Sequence, residues 1–165
     1  MIKALVISDT HGNQKLLRQV LKQEQEVSII FHLGDFYKDV EQNYDLTDGK
    51  LIHRVPGIFN SGYFSGKLPA TCVTEINGWK IGCVHAPQDI PKLPGKLDLV
   101  MHGHTHSPFI EKQAARIILN PGHLKNVVDR GNMASYAILE VTETDLTIKI
   151  IEISCNLKEM NTFKK

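Results

Sequence analysis

Gly103-His104-Thr105-His106 sets two histidines at alternate positions, and alternate residues of an extended chain point to the same side. Two imidazoles on one side make a pair of nitrogen ligands for a borderline divalent metal. The rest of the chain supplies more groups of this kind. Asp9-Thr10-His11 offers a carboxylate and an imidazole, Gly34-Asp35 a second carboxylate and His85 another imidazole. Asp9, His11, Asp35, His85, His104 and His106 thus form a set of two carboxylates and four imidazoles. Because a carboxylate can bridge two ions, the set favours a dinuclear metal site. Taken singly, the pieces have plainer explanations. Asp9 with Gly12 could make a tight turn, Gly34-Asp35 an ordinary strand-ending turn, and His85 a packed hairpin histidine. What ties them together is their order, each at the end of an apolar run.

Those runs predict the elements that must position the set. Ile2 to Ile7 reads as a strand buried on both faces. Asn13 is placed to cap a helix over Gln14 to Glu24, whose Leu16, Leu17, Val20 and Leu21 form one apolar stripe. Ser28 to Leu33 is a second buried strand, completing a parallel βαβ unit, and Lys50 to Val55 a third. Between them lies a weak helical candidate at Val40 to Leu46. Thr71 to Ile76 and Trp79 to His85 flank Asn77-Gly78, a strong hairpin signal. The prolines at 87, 91 and 94 allow one helical turn at most before the strand Leu97 to Met101. Two strand pairs follow, Phe109 to Glu111 with Arg116 to Leu119, and Ser135 to Thr142 with Thr147 to Ser154. The expected fold is α/β, a two-sheet sandwich flanked by a few helices, with the polar groups at strand ends where such folds build sites. His32, His53 and His102 read as packed histidines, and Trp79 as a packing residue.

At 165 residues and 42% hydrophobic composition, the chain fits a single domain able to bury a core without staples. That domain is expected over residues 1–154. Cys155 to Lys165 lacks apolar periodicity after Leu157 and reads as a polar tail that frays. Nineteen basic against eighteen acidic residues leave a net charge of +1 with no like-charge block, which excludes a general nucleic-acid or membrane-surface binder. Cys72, Cys83 and Cys155 show no C-x-x-C spacing, so neither a disulfide framework nor a thiolate zinc site is expected and a reducing compartment fits. The apolar run near the start, Ala4 to Ile7, is far short of the roughly 20 residues of a spanning helix, and a cytoplasmic location is expected.

The motifs together resemble those of the calcineurin-like metallophosphoesterases, in particular their small, capless single-domain phosphodiesterase branch. The resemblance covers residues 1–154. The D-x-H motif stands as Asp9-Thr10-His11, G-D as Gly34-Asp35, H-A as His85-Ala86, G-H-T-H as Gly103-His104-Thr105-His106, and the late N-P-G-S as Asn120-Pro121-Gly122 with His123 where serine is usual. It implies a four-layer sandwich in which Asp9, His11 and His106 hold one metal, His85 and His104 hold a second, and Asp35 bridges both. Asp35, His85 and His104 are then the candidate catalytic residues. Two divalent ions are implied, manganese first, with iron, zinc or nickel as alternatives. The implied reaction is hydrolysis of a small phosphodiester or phosphate ester by a metal-activated hydroxide. The resemblance extends to a trafficking-complex scaffold subunit of the same fold, which implies the alternative of a weak or non-catalytic interaction module with a protein partner.

One departure stands out. After the third strand the family carries an asparagine ligand to the second metal, whereas this chain reads Gly57-Ile58-Phe59-Asn60. Ile58 cannot coordinate, and Asn60 reaches the metal only if the loop bends differently. His123 is a candidate proton donor near the metals, against a plainer role as a hydrogen-bonded loop histidine. The segments 36–49 and 86–96 are too short for the helices that wall the family's cleft, so an open, shallow cleft is expected.

Overall fold

Strand β1, Ile2–Ile7, is buried on both faces from Ala4 onward. Ala4 and Val6 project between two sheets, while Leu5 and Ile7 meet helix α1, Gln14–Gln23. The computed structural model describes all residues from Met1 to Lys165. Asn13 caps α1, its side chain accepting from the Leu16 amide at 3.1 Å, and the Leu16, Leu17, Val20 and Leu21 stripe is buried. Strands β2, Ile29–His32, and β3, Leu51–Arg54, continue the sheet in parallel with β1. The segment between β2 and β3 holds a 3-10 turn, Asp39–Asn43, and the single-turn helix α2, Tyr44–Thr47. After β3 the chain forms the short helix α3, Ser61–Ser65, where the sequence predicted only loop.

The second sheet begins with the predicted hairpin of β4, Thr71–Ile76, and β5, Trp79–Val84. Asn77 and Gly78 both take positive φ, 48° and 79°, as the favoured two-residue hairpin turn requires. A 3-10 stretch, Pro87–Lys92, leads to β6, Leu99–Met101, then β7, Phe109–Gln113, and β8, Arg116–Asn120. A two-stranded ribbon of β9, Val128–Asp129, and β10, Asn132–Met133, precedes β11, Ser135–Val141, and β12, Asp145–Glu152. The first sheet runs β13-β12-β11-β1-β2-β3, with β13 at Leu157–Lys164, and the second β4-β5-β6-β8-β7. Twenty buried residues from both sheets fill the space between them, Phe31, Leu99, Met101 and Ile148 among them; a large apolar side chain buried this way contributes about 1.5–3 kcal/mol. Trp79 lies in this core and donates its indole N–H to the Thr142 carbonyl at 3.1 Å, tying one sheet to the other. Helix α1 covers the outer face of the first sheet, and the 3-10 stretch lies outside the second.

The expectation of a fraying tail at Cys155 to Lys165 is overturned, because Leu157–Lys164 is the edge strand of the first sheet. Only one face of this strand is half-buried, carrying Glu159, Asn161 and Phe163, so no apolar alternation marks it. Its register comes instead from the backbone ladder with β12, with Thr147 facing Thr162 at 2.9 Å between hydroxyls and Asp145 opposite Lys164. Polar and charged residues on an edge strand also discourage edge-to-edge pairing with other chains. Phe163 packs against the inter-sheet core. Phe163→Ala is therefore expected to cost about 1–2 kcal/mol. Truncation after Asn156 should lower the thermal midpoint by at least the ~2–4 °C that 1 kcal/mol represents at this size; calorimetry on both variants checks it.

Candidate metal centre

Parallel strands in both sheets end on one edge of the sandwich, and each delivers a polar residue there. Asp9 and His11 follow β1, Asp35 follows β2, His85 follows β5, and His104 and His106 follow β6. Five of these six, Asp9, His11, Asp35, His104 and His106, adopt positive φ between 46° and 67°. Such backbone is uncommon for residues with a side chain and concentrates at functional sites. Two glycines allow the backbones to close around it. A Cβ at Gly57 would lie 2.3 Å from the Asp35 amide nitrogen, and one at Gly103 1.8 Å from the Ser8 hydroxyl.

The side chains converge. Asp9, His11, Asp35 and His106 present ligand atoms that all lie within 4.8 Å of one another. His11 Nε2 is 2.9 Å from Asp35 Oδ2, and His85 Nε2 is 3.2 Å from Asp35 Oδ1, so each oxygen of Asp35 faces a different imidazole. His106 Nε2 is 3.2 Å from Asp9 Oδ1 and 3.4 Å from His11 Nε2. The His104 ring, partly exposed, stands 5.2 Å from the His85 ring.

These approaches do not satisfy the atoms involved. Asp9 Oδ1, Asp35 Oδ1 and His85 Nε2 are buried without a hydrogen-bond partner despite their short separations. Orphaned buried acceptors are costly, and a cation among them would repay the cost. Opposite atoms of the same groups are held firmly. Asp9 Oδ2 accepts from the Ser8 hydroxyl at 2.5 Å and the His104 amide at 2.8 Å. His85 Nδ1 donates to the Leu33 carbonyl at 2.8 Å, which leaves Nε2 with its lone pair toward Asp35. The donor set and its orphaned atoms fit a borderline divalent metal.

Burial alone would raise the Asp35 pKa, but His11 and His85 outweigh it and hold the carboxylate well below its usual range. Burial works against a charged imidazole at His85 and His106, yet Asp35 and Asp9 respectively outweigh it and raise both above the ordinary value. His104 is lowered by burial and by His85.

Of three supporting residues, Asp129 and Asp39 lie outside every motif, while Asn120 opens the Asn120-Pro121-Gly122 motif. Asp129, on the small ribbon, places Oδ2 2.5 Å from His106 Nδ1, turning His106 Nε2 toward Asp9 and His11. A carboxylate behind a ligating histidine fixes its tautomer and ring orientation. Asn120 donates to the Gly103 carbonyl at 3.1 Å and to the Thr105 hydroxyl at 2.9 Å while accepting from the Gly122 amide, which clasps the loop bearing His104 and His106. Asp39, buried behind Thr10, accepts that residue's hydroxyl at 2.5 Å. No spacing rule links Asp129 to His106 across 23 positions, so only the folded ribbon reveals it.

His123 is wholly buried, its ring 5.2 Å from that of His106 and its Nε2 3.2 Å from the Asn132 carbonyl, in keeping with the packed loop role. Asn60 is committed elsewhere: its side-chain oxygen accepts from the Gly62 amide at 2.8 Å as the cap of α3. Ile58 sits half-buried in the turn before it. Phe36 and Phe59, 45% and 68% exposed, flank His11 with centroid distances of 6.3 and 5.5 Å. They share with Asp35, Lys38 and Asn60 an open groove of about 220 Å³.

The sandwich and its strand-end cluster define a metallophosphoesterase-type fold, and the comparisons with known proteins agree. Residues 2–144 match the model of the calcineurin-like phosphoesterase superfamily domain, and the chain belongs to that family. It is 35% identical over 161 residues to a probable metallophosphoesterase of Methanocaldococcus jannaschii, covering 90% of this chain and 80% of that one. In fold it is similar to the Escherichia coli phosphoesterase Yfce, with a TM-score of 0.77 at 20% identity over 97% of this chain and 98% of that one. It is similar also to wild-type Vps29 of Entamoeba histolytica, solved with zinc, with a TM-score of 0.67 at 22% identity over 99% of each chain. No helix is long and apolar enough to cross a membrane.

Two outcomes follow. Asp129→Ala should weaken divalent-metal affinity by about 10–100-fold, measured by competition with a fluorescent chelator, while circular dichroism stays unchanged. Imidazoles ligate only when neutral. With His85 and His106 raised above 6.5, affinity should already be falling as pH drops through 7 and should continue to fall toward 5. A flat affinity from pH 8 to 5 would refute the imidazole-rich site.

Proposed function

We propose that this chain hydrolyses phosphate esters, phosphodiesters foremost, at a dinuclear divalent-metal centre. The observation that carries this is the set of buried carboxylate and imidazole atoms facing one another at 2.9–3.4 Å while Asp9 Oδ1, Asp35 Oδ1 and His85 Nε2 lack hydrogen-bond partners. Asp9, His11, Asp35 and His106 would hold one ion, and Asp35, His85 and His104 the other. Manganese is the first choice, with iron, zinc or nickel as alternatives; four imidazoles argue against a magnesium-only site. Bound there, the pair of ions would supply Lewis acidity toward phosphoryl oxygens and a lowered pKa for water.

The protein's own groups do the rest. Asp35, kept ionised by its imidazole neighbours, supplies the negative charge shared by both halves of the site. The Leu33 carbonyl and Asp129 hold His85 and His106 with one nitrogen presented inward. His104, partly exposed and with its ring 5.2 Å from that of His85, would complete the second ion's ligands on the side open to substrate. The open groove beside Asp35, with Lys38 on its wall and Phe36 and Phe59 at its mouth, suits a small ester carrying an apolar or flat group rather than one enclosed on all sides.

A second reading rests on the same rim. Phe59, beside His11, is 68% exposed, Phe64 on α3 is 75% exposed, and Ile58 stands where the family's asparagine would be. A weakly catalytic or inactive interaction module that docks a protein partner on this apolar edge would also use them.

Metal content after purification without chelators, paired with hydrolysis of bis-p-nitrophenyl phosphate, separates the two. Two ions per chain with turnover support the enzyme. Both sites filled with no turnover of any phosphate ester would favour the module. Ile58→Asn is expected to restore an amide ligand, tighten the second ion and raise phosphodiester hydrolysis by up to roughly 10²-fold. If the amide fails to reach the ion, it costs about 1–3 kcal/mol of stability instead, and titration with metal distinguishes the two results. Asp35→Ala should remove more metal than His85→Ala, since only Asp35 serves both ions; equal losses would count against a bridge.

A further inference from the structure

β3 and β4 are edge strands of the two sheets, and one side chain from each, His53 and Cys72, meet there. Cys72 on β4 lies directly opposite Cys83 on β5 in the hairpin ladder. Residues directly opposed in an antiparallel pair share a face and hold their Cα atoms about 4.5–5.5 Å apart. A disulfide spans about 4.4–6.8 Å between Cα atoms, so the pairing puts the two within the range a bond can span. Both thiols are free. From β3, His53 brings Nδ1 within 3.6 Å of the Cys72 sulfur. The ring is held by stacking on Phe31 at 5.1 Å and 17°, and its Nε2 has no partner. Cys72 is half-buried at the open side of the sandwich while Cys83 is 2% exposed behind it.

We propose that Cys72, Cys83 and His53 form an oxidisable dithiol site, with Cys72 the attacking sulfur, His53 its base, Cys83 the resolving thiol, and a hydroperoxide the oxidant. Each group has the placement its role needs. The half-buried Cys72 is the sulfur a small oxidant reaches first. Its thiol is held down at about 5 by the neighbouring Cys83 first and by His53 as well, against the opposing effect of burial, while burial and the same contact push the Cys83 thiol up, so that Cys72 and not Cys83 is the sulfur that ionises first. A lowered thiol pKa beside an imidazole is the environment of reactive cysteines. Nothing in the metal chemistry uses this trio.

The chemistry balances with one equivalent of hydrogen peroxide. His53 takes the Cys72 proton, and the thiolate attacks one peroxide oxygen. The O–O bond breaks, and the departing hydroxide recovers the proton from His53 as water. Cys72 is then a sulfenic acid. The Cys83 sulfur attacks the Cys72 sulfur, the S–O bond breaks, and the hydroxide leaves with the Cys83 proton as a second water. Two thiols are oxidised to one disulfide, and one peroxide is reduced to two waters. The product would tie the edge strand β4 covalently to β5, the strand that runs into His85.

In the wild-type protein, brief iodoacetamide labelling followed by peptide mass spectrometry should show Cys72 alkylated at least about ten-fold faster than the exposed Cys155. In Cys155→Ser protein, equimolar hydrogen peroxide should give an intramolecular Cys72–Cys83 crosslink that dithiothreitol reverses. In Cys83→Ala protein the same treatment should stop at a Cys72 sulfenic acid captured by dimedone, and His53→Gln should slow that capture. Labelling of Cys72 no faster than Cys155, or peroxide treatment that leaves both thiols free, would overturn the proposal.

Discussion

Asp9 and Asp35 bring negative charge to positions that solvent hardly reaches, 0% and 3% exposed, and the surrounding structure answers the cost of keeping it there. A buried carboxylate must be compensated by partners or neutralised. Here the partners are imidazoles on neighbouring strand ends, and they compensate only in part, since inward-facing atoms of Asp9, Asp35 and His85 still have no hydrogen bond. The facing groups form a shell suited to a positive centre, and three of them are tied from behind, Asp9 by the Ser8 hydroxyl, His85 by the Leu33 carbonyl and His106 by Asp129. These ties hold the groups in facing positions that they would otherwise relax away from.

That shell draws on both sheets. Asp9, His11 and Asp35 leave the first sheet; His85, His104 and His106 leave the second. The separation between Asp35 and His85 is therefore set by the inter-sheet core beneath them, where Phe31 and Leu33 meet Cys83 and Met101. The left-handed backbone at the strand ends costs of order 1 kcal/mol per residue and persists only where the surroundings over-determine it. The close approaches at Gly57 and Gly103 and the Asn120 clasp supply that determination. Core packing and site geometry are here one problem.

Much of this was legible beforehand, for physical reasons. β1 and β2 are buried on both faces and so read as short apolar runs; the polar residue after each run marks the site edge. The Asn77-Gly78 turn and the Asn13 cap follow from backbone chemistry that short sequences encode. β13 was misread because an edge strand half-exposed to solvent has no need of apolar alternation, and its pairing depends on β12 rather than on its own side chains. Helix α3 is only one turn long and too short for periodicity to show. Asp129 acts across a loop from a distant histidine, the Asn120 motif says nothing of its clasp on Gly103 and Thr105, and the Asn60 cap has no sequence signal because the helix it begins is too short to show one.

The placement of β1 at the middle of its sheet also bears on the order in which the molecule can assemble. β1 pairs on one side with β2, close in the chain, but on the other with β11, where Ile2 meets Val141. Contacts of such long sequence separation close large loops and slow folding. During synthesis the first segment of the candidate site, Asp9 to His11, emerges early, yet the strand that supports it gains its second neighbour only after most of the chain has left the ribosome. The nascent βαβ unit thus waits with one edge of β1 unpaired, an interval in which chaperone contact or premature capture of a metal by loose histidines would compete with native closure.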